Sequence, residues 1–359
     1  MLISKEEKFD FNDILLVPEV YSNINSRYND INPYISEINR SLPLLTAPMD
    51  TVVSKNNVNT YLSSGIGVVL PRTIKNISLE DLTYYNLKKV FVSYGLNEFE
   101  NLLNTNINSI GNIPNYVLID TADGHLSIIV DLSKKAKKIK PNIIIMVGNI
   151  ANSETYKYYA ENDCVDYIRI IIGNGGGCLT SLNCGVGYSS GSLIYETSQI
   201  KKQLELSGKN TKLPYIVADG GMKNYSDIIK ALALGSSYVM VGSLFNKAIE
   251  SSGYNYLYNI KLNNKLANYL FKKGFPIKKH FRGMSTKGAQ KAMGKTSLKT
   301  SEGVTRYRNV EYTLGGWTEN FEHYLRSAMS YCDARTLEEF IGQANFTLIS
   351  DNSFKRFNK

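Results

Sequence analysis

Short apolar runs recur along the chain and alternate with stretches that are long enough for a helix. Each run is rich in Val, Ile or Leu and is bounded by Gly, Pro or Asp, as is typical of strands buried in a parallel sheet. There are eight such runs, and their starts lie roughly 22 to 27 residues apart except for a gap of about 49 after the sixth. They are residues 43–48, 65–70, 89–95, 116–122, 143–149, 166–172, 215–221 and 238–243.

Eight strands that alternate with eight helices predict an α/β protein with a closed (β/α)₈ barrel, the TIM barrel. The alternative is an open, doubly wound sheet, but the dinucleotide fingerprint GxGxxG does not follow the first strand. The length of 359 residues fits one barrel of about 250 residues with insertions as well as it fits two or three domains. The regular spacing of the runs favours a single barrel domain over residues 1–359, with an N-terminal arm before the first strand.

Two segments interrupt the regular spacing. Residues 173–188 follow the sixth strand, and residues 246–317 follow the eighth. In a barrel both would lie at the carboxyl ends of the strands, where catalytic loops gather. The second segment is rich in Lys and Gly, and we interpret it as a mobile flap without a core of its own.

Composition argues against several classes of protein: nucleic-acid-binding, membrane-spanning, disulfide-rich and metal-stabilised proteins. The chain has 41 Lys and Arg against 32 Asp and Glu, but its basic residues are scattered, so we predict no nucleic-acid binding. No apolar run approaches the roughly 18 to 20 residues of a membrane span, and no leader is recognisable, so we predict a cytoplasmic protein. Four cysteines without zinc spacing argue against a disulfide scaffold and a structural metal. The three histidines also lack ligand spacing; they are His125, His280 and His323.

The loop GNGGGCLTSLNCGVGY (residues 173–188) is the richest in candidate chemistry. Its glycines let backbone N–H and C=O groups turn inward, where they can cradle a phosphate or coordinate a cation. Cys178 lies at its centre, and backbone dipoles there could stabilise a nucleophilic thiolate. Thr180 could pass a proton nearby, although either residue alone could equally be an ordinary loop residue.

The seventh and eighth strands end in small residues. Asp219, Gly220 and Gly221 end the seventh, and Gly242 and Ser243 end the eighth. The loops after these two strands form the common phosphate site of barrels, where small residues let N–H groups reach phosphate oxygens. Asp219 could hold a ribose diol, although two tight turns with a capping Asp would show the same pattern.

Nine motifs in a fixed order resemble the inosine monophosphate dehydrogenase and guanosine monophosphate reductase family. They are FDFNDILLVP (9–18), PLLTAPMDTV (43–52), LIDTADGH (118–125), IMVGNI (145–150), the loop around Cys178, VADGG (217–221), VMVGS (239–243), RGMS (282–285) and SEG (301–303). They extend over nearly the whole chain. The resemblance implies a barrel that binds purine nucleotides.

The chain resembles the reductases of this family more than the dehydrogenases. It lacks the regulatory (CBS) domain that dehydrogenases usually insert after the second strand, and it lacks their water-activating Arg-Tyr pair upstream of Glu302; Arg306 and Tyr307 lie downstream. Ser285, Phe281 and Tyr188 also match the reductase pattern. The alternatives are a dehydrogenase that converts IMP to XMP with NAD and a barrel that binds nucleotide without turnover.

The resemblance implies NADPH-dependent reductive deamination of GMP to IMP and ammonia, a reaction of purine salvage. Cys178 would attack the purine C2 and form a covalent thioimidate, with Thr180 and Glu302 as the proton-handling pair. Asp219 would bind the ribose. The other implied substrate residues are Gly220, Gly221, Gly242 and Ser243 at the phosphate, and Gly283, Met284, Ser285, Lys299, Ser301 and Gly303 toward the base.

The resemblance also implies a dinucleotide site, a potassium site and a homotetramer. The implied dinucleotide residues are Asp120, Thr121, Ala122, Ile172, Gly173, Ser327 and Ser330, with Ser26 and Arg27 reaching the site of a neighbouring subunit. Arg72 is the candidate partner of the 2′-phosphate. Backbone carbonyls of Gly173, Gly175 and Cys178 would hold potassium.

Three positions depart from the family's loop pattern. The family commonly has Gly-Pro-Gly-Ser where this chain has Gly-Asn-Gly-Gly at residues 173–176, and Ser181 replaces an Arg. Asn174 removes a stiffening Pro, and Gly176 removes a hydroxyl donor to the phosphate. We therefore expect a looser loop and weaker nucleotide binding.

Overall fold

The computed structural model describes residues 7–177, 179–208, 212–298, 300–301 and 303–357. The strands within these residues are β1 (Ile14–Leu16), β2 (Leu44–Thr46), β3 (Val69–Leu70), β4 (Phe91–Tyr94), β5 (Tyr116–Asp120), β6 (Ile144–Ile150), β7 (Tyr167–Ile170), β8 (Tyr215–Asp219), β9 (Tyr238–Val241), β10 (Asn255–Leu257), β11 (Ile260–Leu262), β12 (Lys278–Arg282), β13 (Thr305–Asn309) and β14 (Phe346–Leu348).

The helices within the described residues are α1 (Val58–Ser63), α2 (Leu79–Leu87), α3 (Leu96–Thr105), α4 (Ile128–Ile139), α5 (Ser153–Asn162), α6 (Thr180–Cys184), α7 (Ser190–Ser207), α8 (Tyr225–Ala233), α9 (Ser243–Asn246), α10 (Asn264–Lys272), α11 (Lys287–Ala292), α12 (Leu314–Tyr331), α13 (Leu337–Phe340) and α14 (Asp351–Phe357). Short 3₁₀ turns occupy Phe11–Asp13, Lys55–Asn57 and Ile110–Asn112. Within this described part, no helix combines the length and the apolar character needed to cross a membrane.

Strands β2 to β9 form one parallel sheet, with the order β2-β9-β8-β7-β6-β5-β4-β3. The Gly67 N–H donates to the Leu44 carbonyl, and the Thr46 N–H donates to the Gly67 carbonyl, both at 2.9 Å. These bonds connect β2 to the residues just before β3, which are at the two ends of this order, and so close the sheet into a barrel. Seven of the eight strands lie within one of the apolar runs of the sequence, and β6 extends one residue beyond its run, to Ile150. The predicted (β/α)₈ barrel is therefore confirmed.

The apolar runs bury side chains on both sides of the barrel wall. One set fills the interior of the barrel, where Val69, Leu118, Met146, Val217 and Met240 pack together. The alternate residues of the same strands face the surrounding helices and form the larger core. This two-sided burial explains why the strands appear in the sequence as continuous apolar runs and not as alternating patterns.

Four tyrosines and Phe91 form an aromatic cluster at the opening of the barrel where the strands begin. Tyr116, Tyr167, Tyr215 and Tyr238 are the first residues of β5, β7, β8 and β9. Tyr167 is at the centre of this cluster, because its ring centroid lies 5.0 Å from that of Tyr215, 5.6 Å from that of Tyr238 and 5.3 Å from that of Phe91. Aromatic side chains thus pack across the opening opposite to the loops that follow the strands.

The chain passes from β3 to β4 through α2, and the residues described there include no inserted domain. The N-terminal arm instead contributes β1, which pairs antiparallel with β14 near the other end of the chain. The buried Lys230 side chain of α8 donates to the Phe11 carbonyl at 2.8 Å and attaches the arm to the barrel.

The segment at residues 246–317 differs from the expected flap without a core. Its described part contains an antiparallel sheet with the order β11-β10-β12-β13. Ile249, Ala267, Ile277 and Val310 form a small apolar cluster there, separate from the barrel core. The prediction missed this cluster because its four members are far apart in a Lys-rich sequence and meet only when the sheet folds.

Lys279 of β12 is fully buried in this small subdomain. Its ammonium group donates to the carbonyls of Ile249 and Ser251, at 2.9 and 2.7 Å. Burial lowers the pKa of Lys279 to about 7, from an ordinary value near 10.5. Between these two pH values the unfolded chain binds more protons than the folded chain, so this residue makes the folded state more stable as the pH rises.

We expect Lys279→Met to remove a pH dependence of stability. Relative to the variant, the wild-type protein should gain stability as the pH rises from about 7 to about 10, by up to about 1.4 kcal/mol per pH unit. Urea denaturation at four pH values in this range measures the difference. Lys278→Met is the control, because Lys278 is the exposed neighbour on the same strand. Parallel stability profiles for the wild type and Lys279→Met would contradict the assignment.

Candidate active site

A cavity of about 500 Å³ opens among the loops at the carboxyl ends of the barrel strands. Its volume is that of an ordinary small-molecule site. The predicted site residues that line it are Asp120, Thr121, Ala122, Ile172, Gly173, Gly175, Thr180, Asp219, Gly220, Gly221, Gly242, Ser243, Gly283, Met284 and Ser285. The structure therefore brings together most of the positions that the sequence singles out, from five separate segments of the chain.

Three of the predicted residues, Cys178, Lys299 and Glu302, lie outside the described residues. Two others are close to the cavity without lining it. The Ser301 hydroxyl donates to the Gly303 carbonyl at 3.0 Å, and Gly303 packs against Ser285.

Four residues of the predicted dinucleotide site do not line the cavity of their own chain, and two of them, Ser26 and Arg27, were predicted to reach the site of a neighbouring subunit. The four are Ser26, Arg27, Ser327 and Ser330. The arm that carries Ser26 and Arg27 nevertheless contacts α12, which carries the two serines. The Arg326 guanidinium donates to the Arg27 carbonyl at 3.2 Å, and the Arg27 guanidinium lies 5.4 Å from the Tyr331 ring centroid. The structure therefore gathers all four residues in one region outside the cavity.

Arg169 is one of two polar residues beside Asp219 that were not predicted from the sequence, and Asn149 is the other. The Arg169 guanidinium is buried in the cavity wall and joins two predicted site residues. Its Nη1 lies 2.7 Å from Asp120 Oδ1, and its Nη2 and Nε lie 2.7 and 3.0 Å from Asp219 Oδ2. Burial alone would lower the pKa of Arg169, but the two carboxylates outweigh burial and raise it above its usual value. The group is therefore a fixed positive charge.

A signal for Arg169 was present in the run DYIRIII. A charged residue in a buried strand requires a partner of opposite charge, because an unpaired buried charge is strongly destabilising. Asp120 and Asp219 are the last residues of β5 and β8, at the same end of the sheet as Arg169 in β7. Pairing the buried Arg with these two carboxylates could have been predicted.

Asn149 adds a second contact to the same carboxylate. Its amide donates to Asp219 Oδ2 at 3.0 Å and to the Ile171 carbonyl at 2.9 Å. All hydrogen bonds from described residues to the Asp219 side chain reach Oδ2, so Oδ1 is left to accept from a ligand. The carboxylate is held in one orientation beside Gly220 and Gly221.

Ser181 and Asn174 brace the loop at residues 173–188. The Ser181 hydroxyl donates to the Val186 carbonyl at 2.8 Å. Gly173 has φ of +90°, and a Cβ on it would overlap Ser181 Oγ, so the close fit depends on glycine. The Asn174 amide donates to Ser190 Oγ at 2.6 Å and ties the loop to the start of α7. These contacts tie the loop to itself and to α7 at the position where the family has a proline.

The flap, at the end of β12 and the start of β13, contacts the loop of residues 173–188 directly. The Val304 N–H donates to the Gly177 carbonyl at 3.2 Å, and a Cβ on Gly283 would overlap that same carbonyl oxygen. Arg282 pairs with Asp50 on the loop after β2, with Nε 3.2 Å from Oδ1. The flap is therefore fixed on both sides of Gly283, which lines the cavity.

Comparison with known proteins places this site in a family. The sequence pattern of the family described as IMP dehydrogenase / GMP reductase domain matches residues 8–357. The chain belongs to this family. Because the match spans the barrel, the Cys178 loop and the flap strands, the whole described site lies within the family domain.

Individual relatives match over nearly their full lengths. The chain is 25% identical over 349 residues to a protein named GMP reductase from Enterococcus faecalis, which covers 96% of this chain and 98% of that protein. It is 27% identical over 354 residues to one so named from Oceanobacillus iheyensis, covering 97% and 98%. A protein of the same name from Helicobacter pylori is 25% identical over 349 residues, covering 96% and 98%.

Proposed function

We propose that this member of the IMP dehydrogenase and GMP reductase family catalyses the NADPH-dependent reductive deamination of GMP to IMP and ammonia. The observation that carries the proposal is the meeting of four segments around one cavity: the loop that contains Gly175 and Thr180, the end of β8 at Asp219, the residues just after β9 at Ser243, and the flap at Gly283. Relatives named GMP reductase that align along nearly the whole chain support it further.

The nucleotide would bind with its ribose at Asp219. Arg169 and Asn149 hold one oxygen of that carboxylate, so the other oxygen is positioned to accept from a ribose hydroxyl. The phosphate would lie against the backbone N–H groups after β8 and β9, at Gly220, Gly221, Gly242 and Ser243. Gly283, Met284 and Ser285 would contact the base. Lys299, Ser301 and Gly303, farther along the flap, would contribute to the same base site.

The chemistry would be covalent catalysis by Cys178. Its thiolate would add to C2 of the purine, and the exocyclic amine, once protonated, would leave as ammonia to give a thioimidate. Thr180 and Glu302 would handle that proton, a role that typically contributes about 10² to 10⁴ in rate. After reduction at C2, the C–S bond would break and release IMP and the free thiolate.

The residues at the end of β5 fit a dinucleotide. Asp120 Oδ1 is held by Arg169, whereas no described residue donates to Oδ2, which is free to accept from a ribose hydroxyl. Thr121, Ala122, Ile172 and Gly173 continue the same wall. When bound, the reduced nicotinamide supplies the hydride that replaces the amine at C2. Arg72 lines the cavity as the candidate partner of a 2′-phosphate, with its Nε 3.1 Å from Glu98.

The position of one dipeptide favours the reductase over the dehydrogenase. In the dehydrogenases, an Arg-Tyr pair in the flap activates the water that hydrolyses the covalent intermediate. Here Arg306 and Tyr307 are exposed on β13, and neither lines the cavity. They are therefore poorly placed to activate water at the purine.

The decisive experiment follows the absorbance of the reduced nicotinamide. Purified protein with GMP and NADPH should consume NADPH and release IMP and ammonia in equal amounts. If NADH replaced NADPH without loss of rate, the cofactor assignment would be wrong. Activity only with IMP and NAD would identify a dehydrogenase instead. Turnover in neither mixture, with GMP still bound, would support a barrel that binds nucleotide without catalysis.

We also propose a potassium ion at the loop of residues 173–188. Potassium is coordinated by rings of carbonyl oxygens, and no described group donates a hydrogen bond to the carbonyl of Gly173 or Gly175. The Cys178 carbonyl would be the third ligand. Repeating the assay with sodium in place of potassium should lower kcat severalfold, and equal rates in both salts would contradict this site.

We further propose a homotetramer in the cytoplasm. Ser26, Arg27, Ser327 and Ser330 lie together outside the cavity, where they could complete the dinucleotide site of a neighbouring copy. The unpaired thiols of Cys164, Cys184 and Cys332 fit a reducing compartment. Sedimentation equilibrium measures the assembly directly, and a monomer at assay concentrations would contradict it.

A further inference from the structure

Arg308 is a half-buried cation that does not itself line the cavity but lies beside two residues that do, Gly176 and Phe281, and the proposed reaction does not use it. It lies on β13, opposite Lys279 of β12 in the antiparallel pairing. Its guanidinium carbon lies 4.3 Å from the centroid of the Phe281 ring, and Phe281 lines the cavity. The side chain is therefore directed along β12 toward the nucleotide site.

The other side of the guanidinium faces the loops proposed to bind the phosphate. A Cβ on Gly176 would lie 3.3 Å from Arg308 Nη2 and 3.6 Å from Ser243 Oγ. The guanidinium and the Ser243 hydroxyl thus approach a common point beside Gly176. Both Gly176 and Ser243 line the cavity.

Among the described residues, no carboxylate forms an ion pair with Arg308, and no hydrogen bond from its guanidinium is found. Burial and the neighbouring charge of Arg306 lower the pKa of Arg308 from its usual value, and the Glu311 carboxylate, which pairs with Lys247, offsets this only in part. The folded protein therefore holds a partly desolvated cation whose five N–H donors lack an anionic acceptor in the described part of the chain. A bound anion would offset this cost.

This chain also lacks a hydroxyl group that the family commonly places at the same point, because Gly176 stands where the family loop has Ser. The replacement makes room for Arg308, whose Nη2 lies 3.3 Å from the position that a Cβ on Gly176 would take.

We propose that Arg308 binds the 5′-phosphate of the substrate and replaces the hydroxyl donor that is missing at Gly176. This inference rests on the proposed function, because it assigns a ligand for the phosphate of the same nucleotide. Guanidinium groups bind phosphate through charge-assisted hydrogen bonds. Such a contact corresponds to roughly tenfold to hundredfold in Kd.

The test compares GMP with guanosine, which lacks the phosphate. By calorimetric titration, Arg308→Gln should raise the Kd for GMP about 10- to 100-fold and leave the Kd for guanosine unchanged. The matched control is Arg306→Gln, which removes the same charge from an exposed position on the same strand and should change neither value. Equal Kd values for GMP in the two variants would overturn the inference, and so would an equal loss of GMP and guanosine binding by Arg308→Gln.

A second substitution tests whether a serine hydroxyl at position 176 can take over the role of the Arg308 guanidinium as a donor to the phosphate. Adding Gly176→Ser to Arg308→Gln should recover part of the lost GMP affinity, because the serine hydroxyl then has room beside Ser243. In the wild-type background the same serine would crowd Arg308 and should give no gain. Absence of recovery in a double variant with unchanged thermal stability would count against the inference. If the wild-type protein bound no GMP at all, the proposed function itself would fail.

Discussion

Cys178→Ala should abolish reductive deamination while leaving nucleotide binding nearly intact. Without the thiolate no covalent bond to C2 can form, and the loss in kcat should be at least about 10³-fold. The Kd for GMP should change little, because the proposed ribose and phosphate contacts come from other residues, including Asp219 and Ser243. Steady-state kinetics and calorimetric titration measure the two effects separately.

The matched control for this variant is Cys184→Ala, at the end of α6. Cys184 is an exposed free thiol six residues farther along the same loop. Its removal should leave kcat and KM unchanged. A Cys178→Ala protein with more than a tenth of the wild-type kcat would disprove the covalent mechanism, and a comparable loss in Cys184→Ala would point to damage of the loop.

Arg169→Met should destabilise the protein and weaken binding of both proposed nucleotides. It leaves the partly buried carboxylates of Asp120 and Asp219 without their counter-charge, and breaking a fully buried pair, which typically costs about 3 to 5 kcal/mol, sets the upper limit of the loss. Because one guanidinium positions both carboxylates, we expect kcat/KM to fall by at least about 10²-fold. Urea denaturation and initial-rate kinetics with each substrate varied in turn measure these losses.

Asp166→Asn separates general destabilisation from damage to the site. Asp166 is also buried and pairs with Lys137 and Lys212, but it lies outside the cavity, just before the first residue of β7. This variant should lose stability without a comparable rise in KM. Adding Asp120→Asn to Arg169→Met should recover some stability, because one of the two uncompensated charges is removed. Unchanged stability in Arg169→Met would refute its role as a clamp.

The sequence was sufficient to predict the barrel, because each strand is buried on two sides and therefore appears as a continuous apolar run. The positions of Asp219 and Ser243 could likewise be predicted, since parallel strands bring their carboxyl ends to one face. The short flap sheet could not be predicted in this way. Its strands are partly exposed, and the burial of Lys279 depends on carbonyls supplied by a distant turn.

Side-chain contacts were harder to predict than backbone placement. The sequence shows that Asn174 replaces a proline, but it does not show that the Asn174 amide reaches Ser190 Oγ and connects the loop to the start of α7. Similarly, Gly176 indicates a lost hydroxyl, whereas the guanidinium that approaches the same point comes from Arg308, more than a hundred residues away. Compensation of this kind depends on tertiary packing and leaves no local pattern.

The aromatic cluster lies at the end of the barrel opposite to the proposed active site, so its packing can be changed without touching the residues proposed to act on the nucleotide. Tyr167 and Tyr238 pack across the opening where the strands begin, whereas the proposed reaction uses the other end of the same strands. Substitutions that improve this packing could raise the melting temperature without the usual conflict between a rigid scaffold and a working site. The aromatic cluster is therefore a region where substitutions could raise the melting temperature with little effect on kcat.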